Sequence, residues 1–359
     1  KIATPVTSNP LPEIFYVDGP QVSYYAANGI TVPLDDYFSE EDLSDFVDSA
    51  VAQNTYDGSL YAIGATESSV AFYYNKDYLK ECGVDVDDLD SRTVDNPITW
   101  SEFAEIAEKC TTDDYVGAHI IMDHGEGLPY ALEPMYISAG KDYISEDGTT
   151  ADGYVNSEEA VETTAYLADM IAKGYANVEP ITDEFLNGAC ATMLGGSWEI
   201  ATLTANADFD WGVTYYPVND DTKEAVSPCG DWAAAISKDC ENVDAAGQFL
   251  QWLMNTENVA TYAAAIAKPA TRTSAYDEEV MADYQEGNLA LIKAQLENTA
   301  VPRPRTPSYA VFSSAYAEAM TNIFSDAAST GEVDNDYIQS ELDTVSDTFT
   351  DDYETYYAE

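Results

Sequence analysis

Residues 185–198 read FLNGACATMLGGSW, and the reading of the chain starts from them. Ala191 to Leu194 is an apolar run of strand length. Gly195 and Gly196 predict a tight backbone turn, and Ser197 is placed to cap a helix expected from Glu199 to Ala205. Trp198 falls at that helix's first turn, facing outward. An apolar strand that delivers one indole through a small-residue turn is the layout of a ligand platform; the plain structural alternative is a hydrophobic staple at the helix start.

A chain of 359 residues exceeds the ~250–300 at which a single core stops growing, so two lobes are expected. With 45% hydrophobic and 12% aromatic residues it folds despite its charge. Sixty-six acidic against 14 basic residues give a formal charge of -52. That charge repels phosphate backbones and anionic bilayers, so neither nucleic acid nor a basic membrane anchor is expected. Acids this numerous are a solvated surface, and no single one signals catalysis.

The cysteines at 82, 110, 190, 229 and 240 show no CxxC spacing, which argues against a zinc site and against a dense disulfide framework. Cys229 and Cys240 are the pair close enough for a local bridge, with free thiols as the alternative. No run of about 18 apolar residues spans a bilayer, and Lys1 opens without an apolar signal region.

Along the chain, residues 12–17 predict a buried strand ending at Asp18-Gly19-Pro20, and Val22 to Asn28 a short helix closed by Gly29. Further strands are expected at Leu60–Gly64, Val70–Tyr74, Asp210–Pro217 and Ala233–Ser237. Helices are expected to start at Ser39 and Thr99, to run from Asn156 to Lys173 with Ala160, Thr164, Leu167 and Ile171 on one face, and to span Ala245–Met254. In that last helix Phe249, Leu253 and Trp252 read as core beside Ala246 and Leu250. Trp100 reads as packing at its helix start. Alternation of strands and helices argues α/β.

The chemistry-bearing motifs are missing. His119 and His124 would point to opposite faces of one strand and make poor joint metal ligands. There is no HExxH, GxSxG, GxxxxGK or GxGxxG, so no metal or cofactor is expected. The cluster Asp85, Asp87, Asp88 and Asp90 lacks the order of a calcium loop. A glycoside hydrolase needs only a carboxylate pair and stands as the rival reading. What remains is aromatic: 27 tyrosines, each able to stack on a sugar face and hydrogen-bond a hydroxyl. Those at element ends are the informative ones: Tyr16 and Tyr24 beside Asp18, Tyr130 after Gly125-Glu126-Gly127, and Tyr309 with Phe312 after a proline-rich segment.

Four stretches, PEIFYVDGPQVSYYAANGI, YAIGATESSVAFYYNKDYL, FLNGACATMLGGSW and PRPRTPSYAVFSSAYAEAM, in this order resemble the extracellular solute-binding proteins of carbohydrate ABC importers, the maltose-binding-protein-like group. KPATRTSAY looks like that family's turn into the hinge helix. The resemblance implies a two-lobed, type II periplasmic-binding-protein-like α/β fold with a hinge of crossing segments. Lobe one would hold residues 1–70 and 218–280, and lobe two 71–217 and 281–359. The strand, helix and strand with which members begin are missing ahead of the segment from Ile2 to Asn28.

It also implies that a sugar, an oligosaccharide, is held in a cleft by aromatic stacking and carboxylate hydrogen bonds, without turnover. The carrier would be a monomer, periplasmic or a cell-surface lipoprotein, delivering to membrane permease subunits, with signal and anchor not in this sequence. On that reading Trp198 is the principal platform, with Trp232 and Tyr309 secondary. Asp18, Glu67 and Asp231 accept from vicinal hydroxyls, while Glu126, Tyr130, Ser68, Tyr16 and Phe312 complete the set. Arg272 and Arg305 read as structural clamps on carboxylates.

Overall fold

The computed structural model describes residues 11–180 and 183–358; the part of the resemblance that falls on residues 2–10 lies outside the described residues. Two compact units emerge. The first takes the chain up to Ser68, then Cys229–Glu297 and Pro302–Tyr309; the second takes Ser69–Pro228, Asn298–Val301 and the chain from Ala310 onward. Residues 218–228 thus cluster with the second unit and 281–297 with the first, where the resemblance-based limits put them the other way round.

The first unit is built on a three-stranded antiparallel sheet, Ile14–Asp18 beside Trp232–Ile236 beside Ala62–Ile63. The period of two divides Ile14–Asp18 between two cores. Phe15 and Val17 pack with Val22, Ile30 and Ala233 on one face, while Ile14 joins Ala234, Ile236, Leu250 and Val259 on the other. Tyr16 shares Ile14's face, yet it is 49% exposed. The hairpin Thr55–Leu60 turns at Asp57 and Gly58, both at positive φ, as a two-residue primed turn requires.

The second unit's sheet runs Val116–His119, Cys190–Gly196, Val70–Asn75, Trp211–Thr214, parallel at the first pairing and antiparallel at the others. Its two central strands are buried at every residue, which is why both read as unbroken apolar runs. Helix Trp100–Lys109 starts in a capping box of Thr99 and Glu102. It lies so close to the sheet that a Cβ at Gly117 would sit 1.8 Å from the Ala107 carbonyl oxygen. Ser157 caps Glu158–Ala172, whose buried stripe contains the four expected residues. Two 22-residue helices, Tyr309–Thr330, whose first residue counts with the first unit, and Asn335–Tyr356, complete the second.

Several local expectations are corrected. Gly195 and Gly196 do not turn; they stay in strand, paired with Ala71 and Val70, and are small because a Cβ on Gly196 would lie 2.2 Å from the Trp198 ring. Ser197 does not cap the helix Glu199–Asn206. Its N-cap is Trp198, and the Ser197 hydroxyl accepts from Ser69 N instead. Leu60–Gly64 splits into two short strands. Trp252 and Phe249 are not core: they are 58% and 46% exposed, and their rings touch each other 5.7 Å apart. The buried face of Val243–Leu253 is Ala246, Gly247 and Leu250, and Gly247 admits the Tyr37 ring so closely that no side chain fits. Cys229 and Cys240 are not joined in a disulfide.

Candidate functional site

In the first unit the carboxyl end of Ile14–Asp18 lies opposite the start of Trp232–Ile236, with Asp18 and Trp232 a cross-strand pair. Residues two apart on a strand share a face, so Tyr16, Asp18 and Trp232 lie together. Trp232 is 57% exposed, which removes the alternative of an indole packed inside. Tyr262 adds a second exposed phenol, and its proximity, after burial, helps raise the Tyr16 hydroxyl pKa.

The acids beside these rings are already organised. Arg303 donates from Nη2 to Asp18 Oδ1 at 2.8 Å and from Nη1 to Oδ2 at 3.2 Å. Asp231 accepts from Lys268 Nζ at 3.1 and 3.0 Å, from Thr66 Oγ1 at 2.8 Å and from Trp232 N at 2.9 Å. Gly230, at φ +151, leaves the space Arg303 needs, since a Cβ there would stand 2.5 Å from Nη2. Ser68 donates its hydroxyl to the Gly230 carbonyl. Glu67 is fully buried and accepts from Gln53 Nε2 at 2.8 Å. Burial, then the Asp231 charge, push its pKa up to about 8, so at neutral pH it is mostly a neutral acid. Asp18 and Asp231 thus stand beside the exposed rings, whereas Glu67 and Ser68 support from behind.

In the second unit, Trp198 is 37% exposed. The indole covers Gly196 and stacks against Tyr130 with centroids 6.2 Å apart at 23°. Burial raises the pKa of Glu199, beside the indole, although the indole N–H works against the rise. Tyr130 is therefore a backing plate, 6% exposed. Glu126, at the N-cap of Gly127–Ser138, accepts from the Ser313 hydroxyl. Tyr309 and Phe312 are fully enclosed; Phe312 packs on Tyr143, Tyr316 and Phe349. Both lie on the inward side of the helix Tyr309–Thr330.

The strand Val116–His119 ends at His119, and His124 lies in the loop beyond it. His119 pairs with buried Glu184 at 2.8 Å and His124 with Glu179 at 2.8 Å. Among the described residues no group of three or more His, Cys, Asp or Glu is arranged to hold a metal ion. Asp85 caps Val86–Asp90, Asp88 pairs with Arg92 and Asp90 with Lys76. Arg272 clamps Asp45 at 2.8 Å over the Phe46 ring, whereas Arg305 reaches the Ala52 carbonyl. Sequence reasoning missed Arg303 and Glu199. The only signal for Arg303 was a cation inside PRPR in a chain with so few.

The family model described as bacterial extracellular solute-binding protein matches residues 1–288. The sn-glycerol-3-phosphate-binding periplasmic protein UgpB of Escherichia coli (strain K12) is 28% identical over 254 residues, covering 64% of this chain and 54% of that protein. Its counterpart in Shigella dysenteriae serotype 1 is 28% identical over 248 residues, with the same coverage. The chain spans about half the length of these curated relatives. Among solved structures, the cyclic alpha-maltosyl-1,6-maltose binding protein of Arthrobacter globiformis superimposes with a TM-score of 0.81 at 22% identity over 97% of this chain and 87% of that one. UgpB of Mycobacterium tuberculosis in complex with glycerophosphocholine gives 0.79 at 21% identity over 96% and 86%. These likenesses fix the fold as the type II periplasmic-binding-protein α/β class. With the family model covering most of its length, the chain belongs to the bacterial extracellular solute-binding proteins.

Proposed function

We propose that this protein captures a neutral, hydroxyl-rich solute, a sugar of oligosaccharide size, and hands it unchanged to the permease subunits of an ABC importer. It works as a monomer outside the cell membrane, in the periplasm or tethered by lipid, and the two contact units are its working lobes. The observation that carries this reading is that each unit presents an exposed indole, Trp232 or Trp198, beside a carboxylate: Asp18, clamped by Arg303, or Glu199, partly buried next to the ring. A preorganised aromatic face with fixed acceptors suits a sugar's C–H face and hydroxyls.

Charge favours a neutral guest over a phosphate ester. Arg303 and Lys268, the cations beside the first unit's aromatic face, are committed to Asp18 and Asp231. A micromolar dissociation constant corresponds to about -8.2 kcal/mol; stacks at ~0.5–1.5 kcal/mol each and charge-assisted hydrogen bonds at ~1.5–3 supply that from two stacks and several bonds.

The test is calorimetry of the wild-type protein against linear and cyclic glucose oligosaccharides, sn-glycerol 3-phosphate and glycerophosphocholine, with reducing ends assayed in parallel. Saturable binding of an oligosaccharide without release of reducing ends supports the reading. Binding confined to the phosphate esters replaces the ligand class, and release of reducing ends replaces the carrier with a glycosidase.

A further inference from the structure

The cysteine pair that matters is not the one suggested by sequence spacing. Cys82 ends the helix Lys76–Glu81 and Cys110 ends the helix Trp100–Lys109, each as the C-cap residue. The two helix ends adjoin: Gly83 and Val84, just after Cys82, line one groove together with Ile106 and Lys109, just before Cys110. A second contact fastens them, because the Tyr115 ring, beyond Cys110, stacks flat on Tyr78 of the first helix, centroids 4.1 Å apart at 2°. The Cys82 thiol lies near enough to the Cys110 thiol and the Tyr115 hydroxyl to help raise the pKa of both.

We propose that Cys82 and Cys110 form a disulfide in the oxidising space outside the cell, stapling the two helix ends of the second unit. The donor is a disulfide of the thiol–disulfide exchange class, small-molecule or protein. The partly exposed Cys82 thiolate attacks one sulfur of that disulfide, expelling the other as a thiolate and leaving a mixed disulfide. The Cys110 thiolate then attacks Cys82 Sγ and expels the second sulfur. The two protein thiols lose two electrons and two protons, and the donor disulfide leaves as two thiols. Roles follow from burial: Cys110 is fully enclosed, and burial followed by the nearby Cys82 thiol pushes its thiol pKa up, so Cys82 is the entry point and Cys110 the resolving thiol. The bond closes the chain from 83 to 109 and restricts the unfolded ensemble.

The experiment incubates folded, reduced full-length protein with oxidised glutathione, blocks remaining thiols with an alkylating agent and maps the peptides by mass spectrometry. The expected result is a linked pair carrying Cys82 and Cys110, with Cys190, Cys229 and Cys240 alkylated, and a melting midpoint several degrees above that of the reduced protein. Cys110→Ser should stall with glutathione on Cys82. Wild-type protein that keeps both thiols, holds a stable glutathione adduct on Cys82, or links Cys82 elsewhere overturns the proposal. The wild-type map decides even if the variant fails to fold.

Discussion

Arg303 closes on Asp18 with both guanidinium arms, Nη2–Oδ1 at 2.8 Å and Nη1–Oδ2 at 3.2 Å, across 285 positions of sequence. The arginine is 4% exposed and the aspartate side chain 23%, so the pair is shielded enough to set geometry. It is the device that holds a carboxylate rigid beside the Trp232 ring. Removing one partner of a buried pair strands the other charge, at a cost of about 3–5 kcal/mol. Arg303→Ala is expected at the lower end of that range, because Asp18 keeps some water. Urea unfolding of the single and double variants with Asp18→Asn measures it, and a double-mutant coupling near zero would show the fork to be ornamental.

Trp198→Ala removes a stack valued at ~0.5–1.5 kcal/mol, so ligand affinity is expected to fall by about 2- to 13-fold with little change in fold. Gly196→Ala attacks the same feature from below, since its new Cβ would stand 2.2 Å from the indole. It should displace the ring and alter tryptophan fluorescence before any ligand is added. Equal affinity in Trp198→Ala and wild type removes this ring from the site.

Glu67 makes stability depend on pH in a direction opposite to that of a salt-bridged acid. Its folded pKa of about 8 lies above the ordinary 4.5. Between those values the folded state holds a proton that the unfolded chain has lost, so this group's contribution to stability falls as pH rises through the window and levels off above it. Glu67→Gln, which keeps the shape and the bond to Gln53, should flatten the decline in melting temperature between pH 5 and 8 attributable to this site. A slope unchanged by the substitution would refute the assignment.

Trp252→Ala is expected to change unfolding free energy by no more than about 0.5 kcal/mol, as exposed substitutions do, while Leu250→Ala on the same helix should cost ~2–5. The contrast rests on 58% against 0% exposure. Parallel chemical denaturation of the two variants checks it.

The Gly-Gly pair before Trp198 shows how sequence reading reaches an element and misses its reason. Two glycines in a row most often mean a turn, because their backbone is permissive. Here they sit in a strand: Gly196 leaves room for the indole two residues on, and Gly195 for the Met193 side chain and for the Tyr73 ring of the neighbouring strand. The helix Val243–Leu253 erred similarly. Its aromatics looked like core because they are large and apolar, but the Tyr37 ring fits only over Gly247, which turns the glycine side inward and Phe249 and Trp252 out.

Apolar runs and a period of two marked most of the strands, Ser39, Thr99 and Ser157 marked helix starts, and ordered motifs along most of the chain marked the family and its α/β class. Those signals are local or cumulative, so they survive without coordinates. Which acids are spoken for, the enclosure of Tyr309 and Phe312 against the exposure of Trp232, and the approach of Cys82 to Cys110 emerge with the packed fold alone. Burial and ionic pairing arise when distant segments meet, and pairs such as Asp18 and Arg303 leave no periodic trace by which either could announce the other.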